Sequence, residues 1–367
     1  MTTPVTETAS GAARRRGAFH RLRVAAVERL CDDAVAVTFD VPDHLAEEFA
    51  FAPGQSLTLR REVDGVEERR SYSVCAPVGQ APRVGVRLVS GGLFSSWLVD
   101  EVRPGDEVEV GAPTGRFVPD LGTAARHVMV AAGSGITPVL SMASSLLRRT
   151  DSHVTLLYGN RRSDTVMFAD EIADLKDAFG ARFELIHVLS REPREAELFT
   201  GRLDGAKMEA LLDTVVAADA VDHWWLCGPY GMVTDAREVL ARRNVPGERV
   251  HQELFFVEGA EPPPQARHEE PGVEGPSSEV TVVLDGRTTT LTLPRGVPVL
   301  DSVQRYRPDA PFACKGGVCG TCRVRVCEGE VRMRRNYALT DAEVEAGYAL
   351  SCQSLPQTDT VTVDFDS

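Results

Sequence analysis

Between residues 19 and 120 apolar and polar positions alternate in short runs, at 22–27, 34–39, 56–60, 72–75, 84–89 and 107–110, each broken off by Gly or Pro. Two-residue alternation at that spacing predicts a small antiparallel β-barrel. Beyond Arg126 the period changes. Residues 127–131 form an apolar run, and after the Gly133-Ser134-Gly135 turn the set Ile136, Val139, Leu140, Ala143, Leu146 and Leu147 follows helical spacing. Further apolar runs at 154–158, 183–189 and 223–227 are separated by helical stretches at 170–178 and 232–242, which predicts a doubly wound α/β unit. Residues 279–284 and 288–293 then read as a strand pair joined across Asp285-Gly286, followed by a helix over 299–306 and a cysteine-rich loop.

The strongest break in composition lies at 259–278, where Pro262, Pro263, Pro264, Pro271 and Pro276 alternate with acids and glycines without apolar period. A linker is expected there, long enough for the block beyond it to move. The expected organisation is a disordered tail at 1–18 that includes Arg14, Arg15 and Arg16, a barrel at 19–122, the α/β unit at 123–258, the linker at 259–278 and a last unit at 279–367.

A length of 367 residues fits this multidomain reading, and 43% apolar with 26% charged residues excludes wholesale disorder. The net charge of −14 argues against nucleic acid or an anionic membrane as partner. The first 20 residues lack the apolar run of a secretory signal, and the most apolar region, 127–147, is interrupted by Gly133, Ser134, Gly135 and Pro138. A soluble, cytoplasmic protein is expected, in which a framework of disulfides has no place.

Of eight cysteines, five crowd the last sixth of the chain. Cys314, Cys319 and Cys322 have C-x4-C-x2-C spacing, and Cys352 follows far behind. Four thiolates can hold two irons, two per iron, while Gly316, Gly317 and Gly320 let the backbone wrap closely with its N–H groups toward sulfur. A zinc site could also use four cysteines, but Cys352 has no near partner to make the second knuckle of a zinc pair. Cys327 lies outside the spacing, beside two arginines. The block resembles the plant-type 2Fe-2S ferredoxin, which implies an α+β, β-grasp fold with Cys314, Cys319, Cys322 and Cys352 as ligands.

Three motifs appear in order before it. Arg70-Ser71-Tyr72-Ser73 puts a cation and an aromatic ring on one strand face, Gly92-Leu-Phe-Ser95 opens a helix whose free N–H groups can hold phosphate, and Gly111-Ala-Pro-Thr-Gly115 makes a further turn. Together they resemble the FAD-binding barrel of the ferredoxin-NADP reductase superfamily. That resemblance implies FAD, with Tyr72 stacked on the isoalloxazine, Ser73 near its N5, and Arg70, Gly92 and Ser95 at the pyrophosphate. Gly133-Ser-Gly135-Ile-Thr137-Pro138 follows a strand and opens a helix, as a nucleotide-binding turn does, and Cys227-Gly228-Pro229-Tyr-Gly231-Met232 ends a later strand. The same superfamily implies that Cys227, with Gly228 and Pro229, faces the nicotinamide and that Glu253 in the closing segment approaches the flavin. The strand ending Tyr158-Gly159-Asn160-Arg161-Arg162 lacks the acid that binds a ribose 2′-hydroxyl. Arg161 or Arg162 could meet a 2′-phosphate instead, so NADPH is expected ahead of NADH.

A nicotinamide gives two electrons and a two-iron cluster takes one, so the order NADPH, FAD, cluster, protein acceptor follows from chemistry. The runs 187–193, 197–203, 329–333, 336–339 and 347–353 resemble those of phenylacetyl-CoA epoxidase reductase subunits, which implies a multi-subunit di-iron oxygenase as acceptor. A reductase of a Rieske oxygenase would share the same module order, and a non-catalytic iron–sulfur sensor would share the fold. Whether the cluster unit rests against the flavin unit is left open by the sequence.

Overall fold

The computed structural model describes residues 18–63, 65–256 and 275–367, so the arginine tail and all but the last residues of the expected linker lie outside the described residues. Alternation builds the first unit. Strands β1 (Phe19–Cys31), β2 (Ala34–Asp40), β3 (Ser56–Val63), β4 (Val66–Ser73), β5 (Arg83–Arg87) and β6 (Glu107–Gly111) form one antiparallel sheet in the order β4-β3-β6-β1-β2-β5. Along β1 the buried Leu22 and Val24 alternate with the exposed Arg21 and Arg23. Val74, just past β4, bridges Val84 of β5, so the two ends of the sheet meet and close a barrel. The single turn of α1 (Leu93–Ser96) continues into a wider turn at Trp97–Glu101, and Phe94, Leu98 and Val99 join the barrel core.

The second unit runs β7 (Arg126–Ala132), α2 (Ile136–Arg149), β8 (His153–Asn160), α3 (Ala169–Phe179), β9 (Phe183–Leu189), α4 (Gly205–Thr214), β10 (His223–Pro229), α5 (Tyr230–Arg242) and β11 (Val250–Phe256). Its sheet is parallel throughout, in the order β11-β10-β7-β8-β9. Alternation in β7 explains the two layers: Met129 and Ala131 face α2 and α3, whereas Val128 and Val130 face α4 and α5. Strand order reverses between β7 and β10, and in such sheets ligands bind above the carboxyl ends of the strands at that point. The barrel and this unit share a core, since Ala34, Ala36 and Cys75 pack with Ile136, Val139 and Phe168. Ser141 Oγ also donates to the Ala76 carbonyl at 2.6 Å, and Arg83 pairs with Glu171 at 2.9 Å.

The third unit contains β12 (Ser277–Leu284), β13 (Arg287–Pro294), α6 (Val299–Val303), β14 (Arg323–Glu328), β15 (Val331–Met333), α7 (Asp341–Glu345), β16 (Tyr348–Leu350), β17 (Ser354–Pro356) and β18 (Thr360–Asp364). Its main sheet, β13-β12-β18-β14-β16, pairs β12 with β18 in parallel, and Val299, Leu300 and Val303 of α6 pack into its core. This is the β-grasp arrangement. Asp285 and Gly286 both take positive φ, 52° and 67°, as a two-residue hairpin turn requires.

Some boundaries differ from the sequence reading. Strand β4 begins at Val66, six residues before the expected 72, and pairs with β3 from Val63↔Val66 to Ser56↔Ser73. The charged run Glu67-Glu68-Arg69-Arg70 hides the alternation, but its charges are met across the ladder, as in Arg60–Glu67 at 3.2 Å. Strand β12 starts at Ser277, inside the expected linker, where the Ser278 hydroxyl donates to the Thr358 carbonyl at 2.6 Å. The helix expected over 299–306 stops at Val303, and α4 appears where none was expected, capped by Asp204, which accepts from the Lys207 N–H at 2.9 Å.

Candidate functional site

The cysteine loop is held in shape by positive φ at Lys315, Gly317 and Gly320. A Cβ on Gly317 would come within 3.3 Å of the Arg335 carbonyl, so no larger residue fits that turn without movement. The sulfurs pair two by two, Cys314 with Cys319 and Cys322 with Cys352. Among the described residues no three His, Cys, Asp or Glu side chains converge on a single ion. Two donors per metal is what a two-iron cluster uses, so the four residues fit that group. The Gly316 and Cys319 N–H groups point at Cys314 Sγ at 3.3 and 3.4 Å, and Gln353 Nε2 reaches Cys352 Sγ at 3.6 Å. The Cys319 thiol and these N–H groups hold Cys314 well below the usual thiol range, and the Cys322 thiol shifts Cys352 downward. Cys327 is exposed on β14, away from this group.

A second cluster of side chains spans the barrel and the α/β unit. Ser73, at the end of β4, donates to Glu253 Oε2 at 3.1 Å across 180 positions of chain. Glu253 on β11 lies in register beside Cys227 on β10. Burial pushes the Glu253 carboxyl up to about 7, opposed by the Ser73 hydroxyl. Burial, with the Glu253 charge, pushes the Cys227 thiol well above its ordinary value, so Cys227 is uncharged at neutral pH. Tyr72 is tilted against Phe94 at 6.1 Å between ring centres. A Cβ on Gly92 would sit 2.8 Å from Ser95 Oγ and 3.1 Å from the Val89 carbonyl, and Ser95 Oγ itself accepts from the Val89 N–H at 3.1 Å. The same segment leaves Leu88, Val89 and Leu93 open to solvent, at 38%, 53% and 55% exposure. An apolar rim beside a turn too tight for a side chain fits a flat ring system carrying a phosphate. Arg70, beside Tyr72, pairs with Glu68 at 2.8 Å and donates to the Arg69 carbonyl at 2.7 Å.

The glycine turn and the Cys227-Gly228-Pro229 strand end meet. A Cβ on Gly135 would lie 2.2 Å from the Cys227 carbonyl oxygen, and one on Gly228 would lie 3.3 Å from Ala132. Gly133 has φ 55°, and its carbonyl accepts from the Tyr158 hydroxyl at 3.1 Å. Thr137 and Pro138 are buried in the first turn of α2, with Thr137 Oγ1 donating to the Ser134 carbonyl at 3.1 Å. Asn160, buried at the end of β8, lies beside the Tyr158 hydroxyl, but its amide makes no hydrogen bond of good geometry. Such an amide suits a polar ligand over the switch point. Arg161 pairs with Asp33 at 3.0 Å and Arg162 with Asp164 at 3.1 Å. Both line a pocket with Arg191, which the sequence reading did not single out as a site residue because it lies on a different connection, after β9.

The third unit rests on the other two. Arg69, 4% exposed, lies 4.1 Å from the Phe312 ring centre and 4.9 Å from that of Phe19, pairs with Glu67 at 2.8 Å and donates to the Pro308 carbonyl at 3.4 Å. Arg116 of the barrel pairs with Glu343 of α7. Tyr337 meets Tyr230 edge-on at 5.4 Å, and Val318 from the cysteine loop packs on the core of the α/β unit. The metal loop therefore lies against the unit that carries Cys227.

A barrel with an apolar-rimmed glycine turn, a parallel sheet with a nucleotide turn at its switch point, and a β-grasp unit with paired cysteines define an iron–sulfur flavoprotein oxidoreductase. Comparison with known families bears this out. The oxidoreductase FAD-binding domain matches residues 21–118, the oxidoreductase NAD-binding domain 129–238 and the 2Fe-2S iron-sulfur cluster binding domain 282–357. The chain belongs to the family of oxygenase reductase components built from these three domains. It is 40% identical to one of the subunits of the 1,2-phenylacetyl-CoA epoxidase of Escherichia coli K12, over 95% of this chain and 98% of that one. It is 34% identical to the ferredoxin reductase component of 3-ketosteroid-9-alpha-monooxygenase from Mycobacterium tuberculosis, over 94% and 95% of the two chains. Among solved structures, phthalate dioxygenase reductase superposes with a TM-score of 0.57 at 25% identity, covering 95% of this chain and 98% of its own. FAD, a nicotinamide and a 2Fe-2S cluster are thus the cofactors, and an oxygenase component is the partner. No helix among the described residues is long and apolar enough to cross a membrane.

Proposed function

We propose that this protein carries electrons from NADPH through FAD and the 2Fe-2S cluster to the multi-subunit di-iron oxygenase that epoxidises phenylacetyl-CoA, in the cytoplasm. The observation that carries the electron path is the Ser73–Glu253–Cys227 contact, which joins the barrel to the nicotinamide unit where the two cofactors must meet. The acceptor rests on the 40% identity to an epoxidase component over nearly the whole chain.

FAD, when bound, takes an electron pair from the nicotinamide and releases it one electron at a time, which neither other centre can do. Tyr72 and Ser73 would hold the flavin ring, with Gly92 and Ser95 at its phosphates. Arg70, whose Nη1 is held by Glu68, would join them with its remaining N–H groups. Cys227, kept as a thiol, offers the nicotinamide an uncharged wall, while Gly133, Gly135, Thr137 and Pro138 bring the start of α2 close to it. Gly228 and Pro229 turn the chain away above them. Glu253, half-protonated near neutral pH, can hold or release a proton at the Ser73 hydroxyl. Asn160, Arg161 and Arg162 would take the adenosine end, with Arg191 reaching the 2′-phosphate. Cys314, Cys319, Cys322 and Cys352 would hold the irons. Units at 19–122, 123–258 and 279–367, tethered through 259–278, would let the cluster leave the flavin for its acceptor.

Anaerobic titration with NADPH and then NADH, following flavin and cluster absorbance, tests the path. Rapid bleaching of both by NADPH supports it, and failure of both nucleotides to reduce the centres sinks it in favour of an iron–sulfur sensor. The 34% identity to a ketosteroid monooxygenase reductase favours a second reading, with a Rieske oxygenase as acceptor. Coupled turnover with purified epoxidase and phenylacetyl-CoA separates the two.

A further inference from the structure

Strand β15 puts its two kinds of side chain on opposite sides. Val331 and Met333 pack on the core of the β-grasp unit, and Met333 Sδ accepts from the Leu350 N–H at 3.3 Å, which fixes the register. Arg332 and Arg334 therefore share the outer side, and both are exposed. Neither guanidinium has an ion pair or hydrogen bond among the described residues. Lys315, Arg295, Arg307 and Arg323 of the same unit are matched by Asp301, Asp359, Asp309 and Glu343, whereas Arg287, Arg305 and Arg325 are exposed without an ion pair among the described residues, so it is their place beside the cluster ligands that sets Arg332 and Arg334 apart. In a chain of net charge −14, two adjacent cations left without an internal partner suit an external anion.

Their place makes that anion's identity specific. Arg334 N donates to the Gln353 carbonyl at 2.9 Å, next to Cys352, and Tyr337 N donates to the Gly317 carbonyl at 3.1 Å inside the cysteine loop. Gln353 Nε2 in turn donates to the Lys315 carbonyl at 2.7 Å. The arginine pair thus belongs to the peptide that borders the cluster ligands, and it stays open to solvent while Tyr337 rests against Tyr230. We propose that Arg332 and Arg334 are the docking contact for the protein that takes electrons from the cluster, and that this acceptor meets them with surface carboxylates. The proposal rests on the reading that the cluster delivers electrons to a protein. At physiological salt, charges interact over about 8 Å, so the local pair rather than the overall acidity decides the encounter.

The test uses the full chain loaded with FAD and cluster, and two probe acceptors, acidic cytochrome b5 and basic cytochrome c. For the unsubstituted protein the cytochrome b5 rate constant should fall as salt is raised above physiological ionic strength, where only local charges interact. In R332E/R334E it should drop about tenfold at physiological salt and lose that dependence, with R332Q/R334Q in between and the cytochrome c rate undiminished. Flavin and cluster bleaching by NADPH should be unchanged in all three proteins, which shows that the substitutions leave the internal path intact. A cytochrome b5 rate within twofold of the parent in R332E/R334E, with normal bleaching, overturns the docking proposal. Absence of bleaching in the parent itself overturns the reductase reading, and the docking proposal with it.

Discussion

Glu253 is buried where its charge is disfavoured, and the Ser73 hydroxyl only partly compensates. Its folded value of about 7 lies above the ordinary 4.5, so between those limits the folded protein keeps a proton that the unfolded chain releases. Its favourable contribution is complete below pH 4.5 and is lost as pH rises through 7, a change of about 3 kcal/mol. Glu253→Gln should therefore raise stability at pH 8.5 while matching the parent near pH 4.5, as read from urea midpoints. The same variant should slow nicotinamide-driven flavin bleaching by about a hundredfold and remove an inflection near pH 7 from its profile. A parent profile flat from pH 6 to 8 would deny the carboxylate any part in the reaction. Arg191 differs from its neighbours, because Arg161 and Arg162 already have Asp33 and Asp164 whereas Arg191 has no ion pair among the described residues. Arg191→Ala should raise KM for NADPH about tenfold and leave KM for NADH alone. Equal effects on both nucleotides would place its role outside the 2′-phosphate.

Where elements cross, small residues and rings set the limits. Glycine at 135 lets α2 start against β10, and Gly135→Ala would drive a Cβ to 2.2 Å from the Cys227 carbonyl, between two backbones that cannot give way cheaply. A loss of about 2 kcal/mol in urea unfolding is expected, with slower nicotinamide oxidation at unchanged flavin content. At the opposite end of the sheet three neighbouring strands each present a histidine. His127 on β7 stacks with His223 on β10 at 5.4 Å, and His223 Nδ1 lies 3.3 Å from His251 Nε2 on β11. Burial, then the His223 and His251 charges, holds His127 down to about 4 despite nearby Asp222. The unfolded chain takes up this proton below about 6.5 and the folded protein does not, so stability falls as pH drops from 6.5 to 4, by about 2 kcal/mol at pH 5. His127→Gln, which can still accept from Trp225 Nε1, should flatten that acid limb; an unchanged limb assigns it to other groups. The strands of this sheet were legible in the sequence because a parallel sheet buried on both faces writes itself as unbroken apolar runs. The cysteine spacing and glycine turns were legible because geometry restricts which residues can occupy them. The first half of β4 was not, since its cross-strand ion pairs replace apolar alternation, and Arg191 was not, since only the fold brings the connection after β9 beside that after β8.

At the scale of the molecule, the proposed electron path would have the β-grasp unit rest on the flavin unit and also leave it. Its contacts suit both demands. Arg69 is buried between Phe19 and Phe312, and burial disfavours its charge, yet Glu67 and the Pro308 carbonyl bind that charge in place. Cation–ring contacts of this kind contribute about 1 to 2 kcal/mol when desolvated, enough to bias a tethered domain and too little to lock it. The Arg116–Glu343 pair is more exposed and adds less. Nothing in the sequence marks this interface, because Arg69 and Phe312 are adjacent only after two separately folded units meet. Arg69→Met keeps the length and apolar stem of the side chain and removes both the cation and its hydrogen bond to Pro308. Flavin reduction by NADPH should be unaffected, since Arg69 touches neither Cys227 nor Glu253, while cluster reduction should slow about tenfold as the docked population falls. Stopped-flow absorbance resolves the two phases. Slowing of both phases together would mean that Arg69 supports the barrel itself, and slowing of neither would mean that the Tyr230–Tyr337 and Val318 contacts suffice to seat the cluster unit.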